Sequence, residues 1–214
     1  MANILNLNKF QLAPTQSDYK EVARYIGYSR KVTPDDLTNG LIEKACSELL
    51  EKLMPQAVYE CFDLNIQGNI PEHSAKNIPL ISFADVQLHS IDLARNLNNC
   101  TQVYLMACTI GPQVDAFIRR TQASDPAYAA VLQSAGAMYV EKLVDYVNEE
   151  IKKTVETADK KIKPRYSPGF GDVSLEVQKD FFRLLPCTRI GLTLMDTLIM
   201  APEKSVTAFV GCYS

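Results

Sequence analysis

Apolar residues recur at the spacing of an α-helix in two long segments of the chain. The longer segment follows Asp125-Pro126, a pair that favours a helix start, and extends to about Thr157. Its apolar positions are three and four residues apart: Tyr128, Leu132, Ala135, Tyr139, Leu143 and Tyr146. The other segment follows Thr33-Pro34, with Thr33 as the expected N-cap, and ends before Pro55. Its apolar stripe comprises Leu37, Leu41, Ala45, Leu49 and Leu53.

Four shorter helices are predicted from capping residues and from glycine or proline stops. They cover residues 18–26, 90–97, 112–122 and 174–185. Asp18 with Glu21 fits a capping box, and Gly27 fits the stop of the first of these helices. In the longest helix, Gly136 lowers the stability of the helix by about 1 kcal/mol relative to Ala. A glycine there therefore indicates a close approach by another backbone or a ligand at that position.

Strands are predicted where β-branched and aromatic residues are flanked by turn residues. Residues 57–64 and 78–83 have this character. The unbroken apolar run at residues 103–110 predicts a strand in the middle of a sheet, because both of its faces must be buried. Residues 194–200 and 205–210 are expected to pair as a hairpin, with Pro202 at the second position of a type I turn. Strands and helices do not alternate regularly, which indicates an α+β fold, a single domain with a mainly antiparallel sheet.

The length of 214 residues suits one compact domain, since no segment rich in Gly, Ser or Pro divides the chain. We expect an N-terminal tail at residues 1–16 and the domain at residues 17–214. The net charge of -3 argues against a nucleic-acid partner, which would need clustered Lys and Arg. The lysines from Lys152 to Lys163 are interleaved with acidic residues, which is typical of a solvated helix end.

No segment has the pattern of a membrane span or a signal peptide. The chain lacks an apolar run of the roughly 20 residues that a bilayer requires, so we expect a cytoplasmic protein without a membrane contact. The six cysteines include no C-x-x-C pair and are expected to be reduced thiols. With only His73 and His89 available, no metal site or hydrolase triad is expected, and both are interpreted as polar loop or strand-end residues.

The densest group of chemically distinctive residues is the segment from Arg165 to Asp172, Arg-Tyr-Ser-Pro-Gly-Phe-Gly-Asp. Pro168 restricts the backbone, whereas Gly169 and Gly171 permit positive φ and let the chain approach a ligand closely. Arg165 offers a planar fork of donors suited to a carboxylate or a phosphate. These residue types alone are compatible either with a surface turn between helices or with a ligand-binding loop.

This segment resembles the Arg-x-Ser-Pro-Gly-aromatic loop in the activation domain of cobalamin-dependent methionine synthase. The resemblance includes residues 190–194, Ile-Gly-Leu-Thr-Leu, and residues 202–208, Pro-Glu-Lys-Ser-Val-Thr-Ala. It extends from about Glu21 to Gly211, and it is closer to free-standing proteins of about this length that contain this domain and little else. It implies a curved antiparallel sheet with helices packed around it, in agreement with the α+β fold inferred above.

The resemblance also implies that the loop binds S-adenosylmethionine. Arg165 would hold the carboxylate of the ligand, because a guanidinium forms charge-assisted hydrogen bonds to that group. The backbone at Ser167 and Gly169 would hydrogen-bond the ligand. Phe170, which stands where the family often has Tyr, would pack on it.

Glu141 occupies the place of an acidic ligand-binding residue of the family. By spacing alone it lies four residues before Asp145, on what would be an ordinary solvated face of the long helix. The resemblance therefore adds Glu141 to the expected ligand site, where a carboxylate would suit the ammonium and sulfonium groups of S-adenosylmethionine.

The activity implied by the resemblance is reactivation of a cobalamin-dependent methyltransferase in methionine biosynthesis. Rescue of inactive cob(II)alamin needs one electron, expected from an electron-donor protein, and a methyl group from S-adenosylmethionine. The cobalamin is expected on a partner chain, since the sequence lacks the Asp-x-His-x-x-Gly motif of the family's cobalt ligand. Because the role is positioning of a methyl donor, no catalytic residue or metal ligand is expected, and the protein alone is not expected to be catalytic.

Two departures from the family pattern leave an alternative open. An acid of the full-length enzymes would fall near Gly27, where no carboxylate stands, and the sequence ends at Ser214, before the region of a further site tyrosine. The missing acid favours a docking module for a corrinoid protein that has lost S-adenosylmethionine binding, whereas the intact Arg165 loop favours the reactivation module. A third hypothesis is an unrelated S-adenosylmethionine-dependent enzyme with a small-molecule acceptor, but the sequence shows no base to activate such an acceptor.

Overall fold

An antiparallel sheet forms the centre of the protein in a computed structural model that describes residues 1–70 and 78–214. The strands in these residues are β1 (Asn3–Asn6), β2 (Gln56–Gln67), β3 (Leu80–Phe83), β4 (Val86–His89), β5 (Gln102–Thr109), β6 (Lys161–Ile162), β7 (Thr193–Leu194), β8 (Met200–Ala201) and β9 (Ser205–Tyr213). The main sheet has the order β4, β3, β2, β5, β9, β6, and every pairing in it is antiparallel. Strand β1 pairs with β2 at residues 56–59, on the edge that β3 occupies at residues 64–67.

Helices cover both faces of this sheet. The α-helices of the described residues are α1 (Gln16–Tyr25), α2 (Asp36–Leu50), α3 (Ile91–Asn96), α4 (Pro112–Ser124), α5 (Pro126–Glu156) and α6 (Gln178–Leu184). One hydrophobic core lies between the sheet and α1, α2, α4 and α5, and a second core contains residues of α3 and α6. The α+β fold with a mainly antiparallel sheet is therefore confirmed.

Strand β5 contributes to both cores because its side chains alternate between the two faces. Tyr104, Met106 and Cys108 pack in the core under α5, whereas Val103, Leu105 and Ala107 pack in the core that contains α6. All six side chains are buried, which explains the unbroken apolar run. The prediction of a strand in the middle of a sheet is confirmed, since β5 has β2 on one side and β9 on the other.

The long helix α5 is buried along the predicted stripe. Tyr128, Leu132, Ala135, Tyr139 and Leu143 are all buried, and Tyr146 is half-buried. The hydroxyl of Tyr139 donates to the backbone carbonyl of Cys46 in α2 at 2.8 Å, so the polar atom of this fully buried ring is satisfied. This contact ties α2 to α5 inside the core.

The predicted hairpin between residues 194–200 and 205–210 is wrong. Residues 193–194 pair instead with residues 200–201, and β9 pairs with β5 and β6. The peptide bond before Pro202 is cis. Strand β9 is apolar on both faces, so it is buried at the centre of the sheet beside β5 rather than on an exposed hairpin.

Several helix boundaries differ from the sequence predictions. Helix α1 has Thr15 as its N-cap, with Asp18 accepting from the backbone N–H of Thr15 at 2.6 Å. Helix α2 has Asp35 as its N-cap rather than Thr33, and Leu37 is 76% exposed. Strand β4 was not predicted.

The segment expected as an N-terminal tail contributes to the domain, because β1 joins the sheet and the side chain of Leu12 is 1% exposed. In the described part of the chain, no helix combines the length and the apolar character needed to cross a membrane.

Candidate functional site

Arg165 follows β6 and contacts two carboxylates of α5. Its Nη2 is 2.7 Å from Oε2 of Glu141, and its Nη1 is 2.5 Å from Oδ1 of Asp145. The two acids are four residues apart and so lie on one face of the helix. Burial acts to lower the pKa of Arg165, but the hydrogen bonds and charges of Asp145 and Glu141 outweigh it and raise that pKa. We name these three residues the Arg165 ion-pair group, which carries one excess negative charge.

Two further side chains lie within electrostatic range of the Arg165 ion-pair group. Cys108 of β5 is fully buried, and burial raises the pKa of its thiol; Arg165 acts to lower that pKa and Glu141 to raise it. Tyr25, at the end of α1, has a pKa raised by burial and by nearby acids, Glu141 among them. The group therefore lies on the exposed face of α5, within electrostatic range of β5 and of the end of α1.

The end of α1 supplies no carboxylate at the position where the family's acid is expected. Gly27 has a φ of +108° and follows the last residues of the helix, so the predicted helix stop is confirmed. A Cβ atom at Gly27 would meet nothing within 4 Å. Glu21, which precedes Gly27 in α1, is paired with Arg24.

The loop after Arg165 is closed by its own hydrogen bonds. The backbone N–H of Gly169 donates to the carbonyl of Val173 at 3.0 Å, and that of Phe170 donates to the carbonyl of Ser167 at 3.3 Å. The N–H of Val173 donates to the carbonyl of Phe170 at 3.0 Å, and the hydroxyl of Tyr166 donates to the same carbonyl at 3.1 Å. These hydrogen bonds within residues 166–173 contribute to the ordered conformation of the loop.

The two glycines of the loop are required by its geometry. Gly169 has a φ of +87° and Gly171 a φ of +52°, both in the region that favours glycine. A Cβ atom at Gly171 would overlap the carboxylate of Asp92 and the hydroxyl of Tyr166. Phe170, between the glycines, is 67% exposed, so the loop presents an aromatic ring to solvent.

The structure brings two of the expected site residues into direct contact, Arg165 and Glu141. Ser167, Gly169 and Phe170 lie together in the loop, as the sequence places them. Sequence reasoning interpreted Asp145 as part of a solvated face, yet it is a second partner of Arg165. The spacing of four residues from Glu141 was the signal that could have identified it.

The second segment of the resemblance also contacts α5. The side chain of Lys204 lies over Gly136, where an added Cβ atom would be 3.1 Å from Cε of Lys204. The close approach predicted at Gly136 therefore comes from a side chain rather than from another backbone. Burial lowers the pKa of Lys204, and the charges of Asp115 and Glu203 oppose this shift.

Within residues 1–70 and 78–214, no group of three or more His, Cys, Asp or Glu side chains could hold a metal ion. All six cysteines are free thiols. His89 ends β4, and its Nδ1 is 3.2 Å from the carbonyl oxygen of Ile78, as expected for a strand-end residue. His73 lies outside the described residues.

Comparisons with known proteins give a match in structure. No protein-family model and no curated protein matches the chain in sequence. The chain is similar to the crystal structure of the MetH reactivation domain bound to AdoHcy, with a TM-score of 0.66 and 14% sequence identity. The match covers 99% of this chain and 78% of that chain. The fold expected from the sequence resemblance is therefore confirmed, with a reactivation domain as the similar structure.

Proposed function

We propose that this protein is an S-adenosylmethionine-binding reactivation module for a cobalamin-dependent methyltransferase, either methionine synthase or a related corrinoid enzyme. The observation that carries the proposal is the Arg165 ion-pair group beside an ordered glycine loop. It is supported by a fold similar to that of a reactivation domain whose crystal structure contains AdoHcy.

The charges of the Arg165 ion-pair group are complementary to those of the methionine end of S-adenosylmethionine. That end has one carboxylate and two positive groups, an ammonium and a sulfonium. A guanidinium has more N–H donors than the two contacts to Glu141 and Asp145 use, so Arg165 can also bind the ligand carboxylate. Glu141 and Asp145, with side chains 44% and 65% exposed, are accessible to the positive groups.

The loop offers backbone and aromatic contacts next to these charges. Because the N–H of Gly169 is bonded to Val173, the carbonyl of Gly169 is the group that we assign to the ligand. The N–H of Ser167 makes no hydrogen bond within the described part of the chain and is assigned likewise. The exposed ring of Phe170 would pack on the ligand, where its burial is favourable.

When bound, S-adenosylmethionine supplies a methyl group to a cobalamin that a partner chain holds. Remethylation of that cobalamin would also need one electron from a separate donor protein, and it would leave S-adenosylhomocysteine as the product. The contribution of this chain is to hold the methyl donor in position, and we place the protein in the cytoplasm with such a partner.

The first experiment is calorimetric titration of the purified protein with S-adenosylmethionine and, separately, with S-adenosylhomocysteine. Binding of both ligands is expected, because both have the amino-acid carboxylate and ammonium groups. If neither ligand gives a heat of binding, although the protein unfolds cooperatively on heating, the proposed ligand is contradicted.

The second experiment tests reactivation. The protein, S-adenosylmethionine, a one-electron reductant and a methyltransferase stalled as cob(II)alamin are mixed, and the cob(II)alamin absorbance is followed. Loss of this absorbance with formation of methylcobalamin, only when the protein is present, is the expected result. Methyl transfer by the protein without a corrinoid partner would instead support an independent methyltransferase.

A docking module without ligand is the second candidate, and two observations favour it. Arg165 is already paired with two carboxylates, and the residues around Gly27 supply no acid. In that case the exposed Phe170 would contact a corrinoid protein directly. This candidate is distinguished from the first if the protein binds a corrinoid protein and gives no heat in the S-adenosylmethionine titration.

A further inference from the structure

The N-terminal end of α3 binds the residue that follows the glycine loop. Oδ2 of Asp172 accepts from the backbone N–H of Ile91 at 2.6 Å, and its Oδ1 accepts from the N–H of Asp92 at 3.3 Å. The hydroxyl of Ser90 also donates to Oδ1 of Asp172. Ser90 is fully buried and caps α3 by accepting from Leu93 at 2.9 Å. The carboxylate of Asp172 is thus held by a rigid part of the core.

The other end of α3 binds the residue that precedes Arg165. Nδ2 of Asn96 donates to the backbone carbonyl of Pro164 at 3.1 Å. Helix α3 has six residues and is about 9 Å long, so it spans the gap between the two ends of the loop. Its inner side chains, Leu93 and Ala94, are fully buried, which fixes the helix to the sheet.

The loop is also attached to the sheet. Tyr166 and Phe209 exchange backbone hydrogen bonds of 2.9 Å and 2.7 Å. This pairing holds the first residue after Arg165, and the contacts of Asp172 with α3 hold the other end of the loop. The overlap that a Cβ atom at Gly171 would make with Asp92 shows how closely the loop approaches α3.

We infer that α3 clamps both ends of the glycine loop, so that Asp172 and Asn96 are positioning residues for Arg165 and Phe170. The clamp joins the loop to the core without using a group that the proposed ligand needs. Its effect on ligand affinity rests on the proposed function, whereas its effect on loop conformation does not. Removal of the clamp should therefore loosen the loop in the ligand-free protein while the sheet and α5 remain folded.

The loop can be observed directly, because the chain contains no Trp. The variant Phe170→Trp introduces a single indole at the exposed tip of the loop. Asp172→Asn is then added. Only the oxygen of the Asn amide accepts hydrogen bonds, so its NH₂ group would face the N–H donors of α3. Asp35→Asn is the matched control, because Asp35 also accepts from the N-terminus of a helix, α2, through Thr38 at 2.7 Å.

The expected result is a lower fluorescence anisotropy of the indole and faster hydrogen exchange at Gly169 and Val173 with Asp172→Asn. We expect exchange to accelerate by about tenfold, since hydrogen bonds to a charged group are lost. Asn96→Ala should act in the same direction. Asp35→Asn should change neither measurement. Equal anisotropy and exchange in Asp172→Asn and the control would overturn the clamp.

Ligand titration separates this inference from the proposed function. If the parent protein binds S-adenosylmethionine, Asp172→Asn without the Trp substitution should weaken binding several-fold, with a melting temperature close to that of Asp35→Asn. Unchanged affinity would overturn the role of Asp172 in positioning. If the parent protein shows no binding, the proposed function fails, while the exchange and anisotropy results still decide whether the clamp exists.

Discussion

Arg165 and Arg183 are each paired with two carboxylates, yet of these two arginines only Arg165 belongs to the candidate site. Arg183 of α6 contacts Asp85 at 2.7 Å and Asp180 at 3.1 Å, distances close to those of Arg165. Asp180 is on its own helix, and the side chain of Arg183 is 47% exposed compared with 31% for Arg165. An ion pair of this kind on the surface contributes little by itself.

The surroundings make the difference between the two arginines. Both partners of Arg165 lie on one helix face, and the residues after Arg165 form an ordered loop with an exposed aromatic ring. Arg183 lies within α6, with no comparable glycine loop after it. The comparison teaches that the pairing of charges does not by itself indicate a candidate site, whereas pairing next to a loop with donors, acceptors and an exposed apolar group does.

The largest expected difference between the two arginines is in ligand affinity. Arg165→Ala should weaken S-adenosylmethionine binding by about 2 kcal/mol, roughly 30-fold, because a charge-assisted and partly shielded hydrogen bond is lost. Arg183→Ala should leave the affinity unchanged. Calorimetry on both variants measures this, and equal affinities of the two variants would remove Arg165 from the site.

The acids of the Arg165 ion-pair group should have a smaller effect. Glu141→Gln and Asp145→Asn are each expected to weaken binding by about 1 kcal/mol, since each removes one negative charge that would face the ammonium and sulfonium groups of the proposed ligand. Because both acids contact Arg165, the two substitutions should weaken binding to a similar extent. Asp180→Asn beside Arg183 is the matched control, and an effect of similar size there would show that the change reflects net charge only.

The pH dependence of stability tests the anchor of the loop. Burial acts to raise the pKa of Asp172, but hydrogen bonds from Ser90, Ile91 and Asp92 outweigh it and hold that pKa below 3.8. The contribution of this carboxylate to stability is therefore fully present well above pH 3.8 and is lost as the pH falls through the lower folded value.

Asp172→Ala should consequently reduce the free energy of unfolding by about 1 kcal/mol near neutral pH, as for loss of a helix-capping carboxylate. The difference from the parent protein should vanish in acid. Urea unfolding of both proteins at neutral pH and well below pH 3.8 measures it. A difference that persists unchanged in acid would mean that the carboxylate charge does not hold the loop.

The smallest effect is expected for the stability of the protein without Arg183. Arg183→Ala should leave the free energy of unfolding nearly unchanged, because its ion pairs are exposed to solvent. Urea unfolding at low and high salt is the measurement. A clearly larger loss would show that Arg183 also has a role that its contacts with Asp85 and Asp180 do not explain.

Local signals in the sequence were sufficient for much of the fold. The apolar run of β5 and the stripe of α5 follow from burial, and each depends only on residues that are neighbours in the sequence. Ser90 was predicted correctly as a helix cap, because its partner Leu93 is three residues away. The prediction failed for residues 194–210, where a nearby partner strand was chosen and β9 instead pairs with β5.

The candidate site was predictable only in part for the same reason. The resemblance pointed to Arg165 and Glu141, which are 24 residues apart in sequence and in contact in the structure. The anchors of the loop had no sequence signal, since Asp172 binds residues about 80 positions earlier. No local periodicity indicates such a contact.

The sequence by itself determined which segments are buried, which are helical and where a glycine loop with an arginine occurs, because these properties depend on side-chain spacing and backbone freedom over a few residues. Only the tertiary structure decided that Asp145 joins Glu141 on Arg165, that Lys204 lies over Gly136, and that α3 holds both ends of the loop. These contacts depend on how sheet and helices pack, which brings together groups that chain connectivity leaves far apart.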